Sequence, residues 1–182
     1  MSESPLRKKF IEFIEAQKMF FVATAAADGR VNLSPKGLDS LRILSASRIV
    51  WLNLSGSGNE TAAHVLDTNR ITLMFCAFEG NALIVRVYGT AKIIHPRDAA
   101  WQKLIDMFPP MAGSRQIFDI EVESAMASCG SGVPFYDYKG QRGDSQMLPY
   151  YAEMGEAGVQ AYWEKKNQKS IDGKPTRIVT AS

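Results

Sequence analysis

Cysteine and histidine are scarce in this sequence of 182 residues. Cys76 and Cys129 are the only cysteines, His64 and His95 the only histidines, and none of the four belongs to a Cys-x-x-Cys or Cys/His metal-ligand spacing. Two cysteines this far apart do not form the framework of a disulfide-rich domain. We therefore expect two reduced thiols and two ordinary structural histidines, with no metal site.

Long apolar runs and an excess of charge of one sign are also missing. No stretch approaches the roughly 18–20 apolar residues of a membrane span, and residues 1–10 lack the apolar centre of a secretory signal. Twenty-one basic residues are interspersed with nineteen acidic ones, for a net charge of +2. A nucleic-acid-binding domain usually carries a concentrated basic patch. These absences predict a cytoplasmic protein that binds neither membranes nor nucleic acid.

Strand patterns dominate what is present. Residues 19–26 read as a buried strand, and the turn signal Asp28-Gly29 followed by residues 30–34 predicts a β-hairpin. Further strands are predicted at 48–54, 70–78, 82–95 and 116–123. Consecutive strands joined by short turns are typical of antiparallel sheets. We therefore predict a mainly β fold with added helices, an antiparallel Greek-key barrel formed by one domain over residues 1–182.

The helices are predicted mainly near the ends of the chain. Apolar residues at helical spacing indicate an N-terminal helix over residues 5–17, and shorter helices are predicted at 59–68 and 98–107. Residues 130–143 read as an ordered loop rich in Gly, Pro and Tyr. The C-terminal extension, residues 145–182, is predicted to be helical, with its last helix at about 156–166.

A glycine-rich turn at residues 55–61 (SGSGNET) stands between a predicted strand and a predicted helix. Free backbone N–H groups and the helix dipole at such a turn favour an anion such as a phosphate. The alternative is a capping box, in which Ser57 and Glu60 satisfy the same N–H groups without a ligand. The sequence leaves both interpretations open.

Two basic residues lie in or beside predicted strands. Lys36 follows the hairpin strand, and Arg86 interrupts an apolar run at residues 83–89. Because an unpaired buried guanidinium costs several kcal/mol, Arg86 is expected to face an anion, a carboxylate or a solvent-filled groove, or else to point outward into water.

Taken together, these segments resemble the flavin-binding members of the pyridoxamine 5'-phosphate oxidase-like family. The resemblance rests on residues 20–37 (FFVATAAADGRVNLSPKG), 58–61 (GNET) and 86–91 (RVYGTA), and extends over residues 20–123. A second stretch, residues 128–134 (SCGSGVP) with 166–167 and 170–173, resembles one branch of that family.

The resemblance implies a split β-barrel whose homodimer interface holds flavin mononucleotide (FMN). The residues that it places around the cofactor are Ser34, Lys36, Asn59, Thr61 and Arg86. Glu60 and Thr61 stand where many relatives carry basic residues, which implies weaker cofactor binding. The Arg-x-His motif and the Arg-Leu-x-Pro ending of the vitamin-oxidising members are absent from residues 175–182, so we do not expect oxidation of pyridoxamine phosphate.

The loop at residues 128–138 is a further candidate for the site. Its aromatic side chains suit either one wall of a substrate pocket, with Cys129 and Tyr136, or a dimer interface. In flavin enzymes the cofactor carries the redox chemistry, so no catalytic side chain is assigned. The resulting prediction is an FMN-dependent oxidoreductase acting on small molecules. A deazaflavin-dependent reductase and a non-catalytic flavin or haem carrier or sensor remain open.

Overall fold

Seven strands and four helices make up the fold in the computed structural model, which describes residues 5–179. In chain order the elements are α1 (Lys8–Ala16), β1 (Phe20–Thr24), β2 (Asn32–Lys36), β3 (Leu41–Ser45), β4 (Arg48–Leu54), α2 (Glu60–Thr68), β5 (Arg70–Cys76), β6 (Ile84–Ile94), α3 (Trp101–Ile105), β7 (Ser114–Ser128) and α4 (Arg142–Lys166). The strands form one sheet in the order β2-β1-β5-β6-β7-β4-β3, and every neighbouring pair is antiparallel. The predicted mainly β class with added helices is confirmed.

The sheet is strongly curled. Its two edge strands, β2 and β3, are joined by residues 37–40 alone. Such a connection spans at most about 19 Å. In a flat sheet of seven strands the two edges would be about 29 Å apart. The sheet must therefore roll up so that β2 and β3 approach each other, which gives a barrel that is open between them.

Strand alternation gives the sheet two faces. On the inner face, Val22, Leu73 and Val87 stand opposite one another on β1, β5 and β6, and all three are buried. The apolar stripe of α1, with Phe10 and Ile14, packs into this same core, as predicted for an amphipathic helix. The inner face is therefore the hydrophobic core of the barrel.

The register of the β1–β2 pair shows which face of the sheet each side chain of β2 occupies. Ser34 pairs with Val22 and Lys36 pairs with Phe20, so both side chains lie on the inner face. Residues with the opposite orientation form the outer face, where one row runs across five strands: Pro35, Phe21, Met74, Arg86 and Met126. Lys36 and Arg86 thus point to opposite faces of the sheet.

A β-bulge interrupts the pairing of the two longest strands. The β6–β7 register shifts between Tyr88 and Gly89. A Cβ atom at Gly89 would lie 2.1 Å from the carbonyl oxygen of Glu121, so only glycine allows this close approach of the two backbones.

Several predicted boundaries were wrong. The hairpin is present, but β2 begins at Asn32 because residues 25–31 form a longer loop in which Gly29 has φ +92°. The sequence analysis missed β3, and the last strand, predicted as the sixth at residues 116–123, is the seventh and is longer. The helix predicted at 98–107 is reduced to α3, Trp101–Ile105.

The C-terminal prediction also needs correction. Element α4 begins at Arg142 and is broken at Gly155 (φ 66°, ψ 171°), whose backbone is not helical; the part after this kink, residue 156 to Lys166, corresponds to the predicted last helix. Beyond Lys166 the chain is not helical up to residue 179, and residues 180–182 of the predicted extension lie outside the described residues.

The two cysteines are unpaired, Cys76 buried and Cys129 exposed, as the sequence predicted. Across residues 5–179, no helix combines the length and apolarity needed to cross a bilayer.

Candidate functional site

A cavity of about 450 Å³ opens beside the glycine-rich turn; we call it the turn cavity. Five parts of the chain build its walls: β2 with the loop after it, the end of β4, the turn itself, the beginning of β7 and the beginning of α4. The polar and charged side chains that line it are those of Asn32, Ser34, Lys36, Ser40, Asn53, Ser55, Ser57, Asn59, Glu60, Thr61, Arg115, Gln141 and Arg142. Its volume is within the usual range for a small-molecule pocket.

Four of the sequence-predicted site residues meet in this cavity. Ser34 and Lys36 reach it from β2, and Asn59 and Thr61 reach it from the start of α2. A hydrogen bond links β2 to the start of α2: Asn32 Nδ2 donates to Thr61 Oγ1 at 3.3 Å. Because β2 is an edge strand of the rolled sheet, its inner-face side chains border this cavity instead of packing fully into the core.

The capping box expected as the alternative does not form. The Glu60 carboxylate accepts the backbone N–H of Ile171 at 3.1 and 3.0 Å, and the helix N-cap Asn59 makes no side-chain capping bond. Within residues 5–179, the backbone N–H groups of Gly56, Ser57 and Gly58 find no hydrogen-bond acceptor. The turn therefore presents free donors at a helix N-terminus, which is the arrangement that binds anions.

The charge of the cavity is positive on balance. In the part of the chain that the structure describes, Lys36, Arg115 and the exposed Arg142 line it, against the single carboxylate of Glu60. Burial, reinforced by the neighbouring Arg115 charge, lowers the pKa of Lys36 to about 8. The Lys36 ammonium lies 5.4 Å from the ring centroid of Trp51 and forms no ion pair with any residue in the described range 5–179. An anionic ligand would supply the counter-charge.

The sequence analysis missed two residues of this site, Arg115 and Asn167. Arg115 Nη1 donates to Gly58 O and to Asn167 Oδ1, both at 2.9 Å. Asn167 Nδ2 in turn donates to Gly56 O at 2.9 Å. Asn167 belongs to a segment that the family resemblance includes, but nothing local in the sequence indicates a role for it or for Arg115 at this site, and only the fold brings them to the turn.

Arg86, Cys129 and Tyr136 lie outside the turn cavity. Arg86 is on the outer face, half-buried, and its Nη1 donates to Ser128 Oγ at 2.8 Å. Cys129 is exposed, and hydrogen bonds from Ser131 lower the pKa of its thiol. Tyr136 is exposed, with its ring 5.6 Å from that of Phe78. One copy of the chain therefore does not bring these three residues together with Lys36.

No group of three or more His, Cys, Asp or Glu side chains that could hold a metal ion occurs within the part of the chain that the structure describes. The two histidines are buried and do not line the turn cavity.

The rolled antiparallel sheet, open between its edge strands and flanked by an anion-receptive turn, defines the split β-barrel class. HupZ of Group A Streptococcus has this fold, with a TM-score of 0.55 and 23% identity over 72% of this chain and 99% of that one. A candidate pyridoxamine 5'-phosphate oxidase from Lactobacillus delbrueckii matches with a TM-score of 0.56 and 18% identity, over 69% of this chain and 97% of that one. At these identities the likeness concerns the fold alone.

Comparison of the amino-acid sequence with known proteins identifies the family of this chain. The model of the pyridoxamine 5'-phosphate oxidase family matches residues 6–129. The pyridoxamine 5'-phosphate oxidase family protein ustO of Aspergillus flavus is 31% identical over 176 residues, covering 87% of this chain and 70% of that protein. The chain belongs to the pyridoxamine 5'-phosphate oxidase family. Arg115 lies within the matched range and Asn167 beyond it.

Proposed function

We propose that this protein binds FMN in the turn cavity and acts as an oxidoreductase that transfers electrons or hydride between small molecules. The observation that carries the proposal is the pairing of free backbone N–H donors at residues 56–58 with the cations Lys36 and Arg115, neither of which has a carboxylate partner among residues 5–179. This donor set suits a phosphate group.

The remaining surface of the cavity also fits a phosphorylated, hydroxyl-rich cofactor. Asn59 is buried and its Oδ1 has no hydrogen-bond donor in the described residues, so it can accept one from a ligand hydroxyl. Thr61 Oγ1 and Ser34 add polar groups beside it. We assign Lys36, Thr61 and the turn N–H groups to the phosphate, and Asn59 and Ser34 to neighbouring polar atoms of FMN.

When bound, FMN supplies the redox chemistry by accepting and releasing electrons or hydride. The protein's residues bind and orient it. The positive charge of Lys36 and Arg115 holds the phosphate, while burial of the cavity wall excludes water from these charge-assisted bonds and so strengthens them.

We further propose that the working unit is a homodimer formed through the outer face of the sheet. This face exposes the large apolar side chains of Leu33 and Met126, and that of Val31 is exposed in the loop just before β2. It also carries Arg86, with Cys129 and Tyr136 on the adjoining loop, all separated from the turn cavity of their own chain. A second copy packed on this face would cover the apolar side chains and bring these three residues towards its partner's cofactor. Cys129 and Tyr136 would then form part of the substrate pocket.

A visible absorption spectrum tests the cofactor assignment. Purified protein is mixed with FMN, freed of excess ligand, and its spectrum compared with that of Lys36→Ala and Thr61→Ala variants treated in the same way. We expect oxidised-flavin bands in the wild type and weaker retention in both variants, with loss of a charge-assisted bond at Lys36 costing about 1.5–3 kcal/mol. Binding of haem or a deazaflavin instead of FMN would replace this proposal with the corresponding alternative, and tight FMN binding without turnover of any acceptor would indicate a carrier.

A further inference from the structure

Arg115 is a buried cation that has no carboxylate partner among residues 5–179. Its side chain is 3% exposed, and both of its hydrogen-bond acceptors, Gly58 O and Asn167 Oδ1, are neutral. Its Nε has no partner in the described residues. A buried charge without a counter-ion is costly, and buried guanidinium groups are normally paired with an acid.

The surroundings of Arg115 increase this electrostatic cost. Lys36 adds a second positive charge, and the mutual repulsion contributes to the lowered pKa of Lys36. Burial lowers the pKa of Arg115 itself to about 10, which leaves it protonated at neutral pH. Among the described residues, Glu60 is the one that lines the cavity with a carboxylate, and its oxygens accept the N–H of Ile171 instead of pairing with Arg115.

We propose that Arg115 is the principal cation for the phosphate group of the bound cofactor, and that Asn167 is the residue that positions its guanidinium. This inference rests on the proposed function, because the phosphate is that of FMN. Since Glu60 and Thr61 put no cation at the start of α2, Arg115 supplies the charge from the start of β7, where its guanidinium lies beside the turn.

Asn167 is placed to hold this arrangement together. Its Oδ1 accepts from Arg115, its Nδ2 donates to Gly56 O, and its backbone oxygen accepts from Thr176 Oγ1 at 2.5 Å and Asn59 Nδ2 at 3.4 Å. One fully buried side chain thus fixes the guanidinium relative to the turn that carries the free N–H donors.

Comparison of FMN with riboflavin, which lacks the phosphate, isolates the role of Arg115. Dissociation constants are measured for both ligands by quenching of flavin fluorescence in wild type and Arg115→Gln. We expect the substitution to weaken FMN binding roughly 10- to 100-fold and to leave riboflavin binding unchanged. Arg70→Gln, which removes an exposed arginine at the start of β5, is the matched control and should change neither constant.

Two further variants keep the test decisive if Arg115→Gln does not fold. Arg115→Lys preserves the charge but not the planar fork, so FMN should bind with intermediate affinity and riboflavin normally. Asn167→Asp offers Arg115 an internal carboxylate, which should weaken FMN binding selectively, and should do so less when Arg115 is already Gln. If either residue has a purely structural role, its substitution would change the dissociation constants of FMN and riboflavin by the same factor, which would overturn the inference.

Binding measurements with pyrophosphate, made beside those with the two flavins, distinguish failure of this inference from failure of the proposed function. If wild type binds FMN but Arg115→Gln loses affinity for FMN and for riboflavin by the same factor, the inference about Arg115 is wrong and the proposed FMN-binding function stands. If wild type binds neither flavin, yet pyrophosphate raises its melting temperature and not that of Arg115→Gln, the anion site stands and the flavin assignment is wrong. If neither flavin nor pyrophosphate binds wild type, both are wrong.

Discussion

The carboxylate of Glu60, at the first position of α2, accepts the backbone N–H of Ile171 through both oxygens, 111 residues away in sequence. This contact turns the side chain towards the C-terminal segment and away from Ser57, so the glycine-rich turn keeps its N–H donors free. It also leaves one negative charge at the edge of a cavity that we propose to bind a phosphate.

Removing that charge should improve cofactor binding. Glu60→Gln retains an oxygen acceptor for the Ile171 N–H but eliminates the repulsion with phosphate. We expect FMN to bind about two- to fivefold more tightly, in keeping with the energy of a partly exposed charge pair. Fluorescence titration with FMN measures the gain, and riboflavin serves as the uncharged control. Unchanged or weaker FMN binding would show that Glu60 does not face the phosphate.

FMN affinity should fall at alkaline pH. The phosphate monoester is a dianion from pH 7 to 9, whereas the free protein loses the Lys36 proton with a pKa of about 8. Since the anion binds the protonated form, the dissociation constant should rise about tenfold between pH 7 and 9. The same titration on Lys36→Met should give a nearly flat profile with weaker binding throughout. If the wild-type profile were as flat as that of the variant, Lys36 would not be one of the residues that bind the phosphate.

The proposed dimer is tested on the outer face. Leu33 is 61% exposed, so Leu33→Asp should leave the monomer folded while placing a charge in the interface. We expect light scattering with excess FMN to give a dimer for wild type and a monomer for the variant. Leu66→Asp, which changes an exposed leucine on α2, should remain dimeric. A wild-type monomer under these conditions would refute the dimer.

The bulge at Gly89 should be intolerant of any side chain. A Cβ atom there would approach the Glu121 carbonyl to 2.1 Å, so Gly89→Ala must separate β6 from β7. We expect a loss of roughly 2–4 kcal/mol in the free energy of unfolding, measured by urea denaturation. Gly132→Ala, where a Cβ would meet no atom within 4 Å, is the control and should cost little. Equal stability of the two variants would contradict the register described for this strand pair.

The sequence revealed the strands whose side chains alternate between core and surface. The strands β1, β5 and β6 alternate in this way, β4 is recognisable instead as a continuous run of buried residues, and the turn at Gly29 marks the hairpin. The missed strand β3 has no fully buried residue, because its side chains lie at the open edge of the barrel. No individual helix was placed in the first part of α4, because Pro149 and Gly155 are usual helix breakers.

The candidate site was predictable only where it is local in sequence. Lys36 is the last residue of a strand and the glycine-rich turn precedes a helix, so both have recognisable contexts. Arg115 and Asn167 are 52 positions apart and meet through tertiary packing. The choice between a capping box and a free turn likewise depended on Ile171, a distant residue that no local pattern connects to Glu60.

The hydrogen bond from Arg115 to Asn167 also orders events during synthesis of the protein. At translation rates of about 5–20 residues per second, Asn167 is added about 3–10 s after Arg115. All seven strands are complete by Ser128, so the sheet can form on the ribosome while the Arg115 guanidinium still lacks its acceptor. The nascent barrel therefore acquires the hydrogen bond that orients Arg115 only after the C-terminal segment emerges, and a chain stalled before Asn167 would lack it.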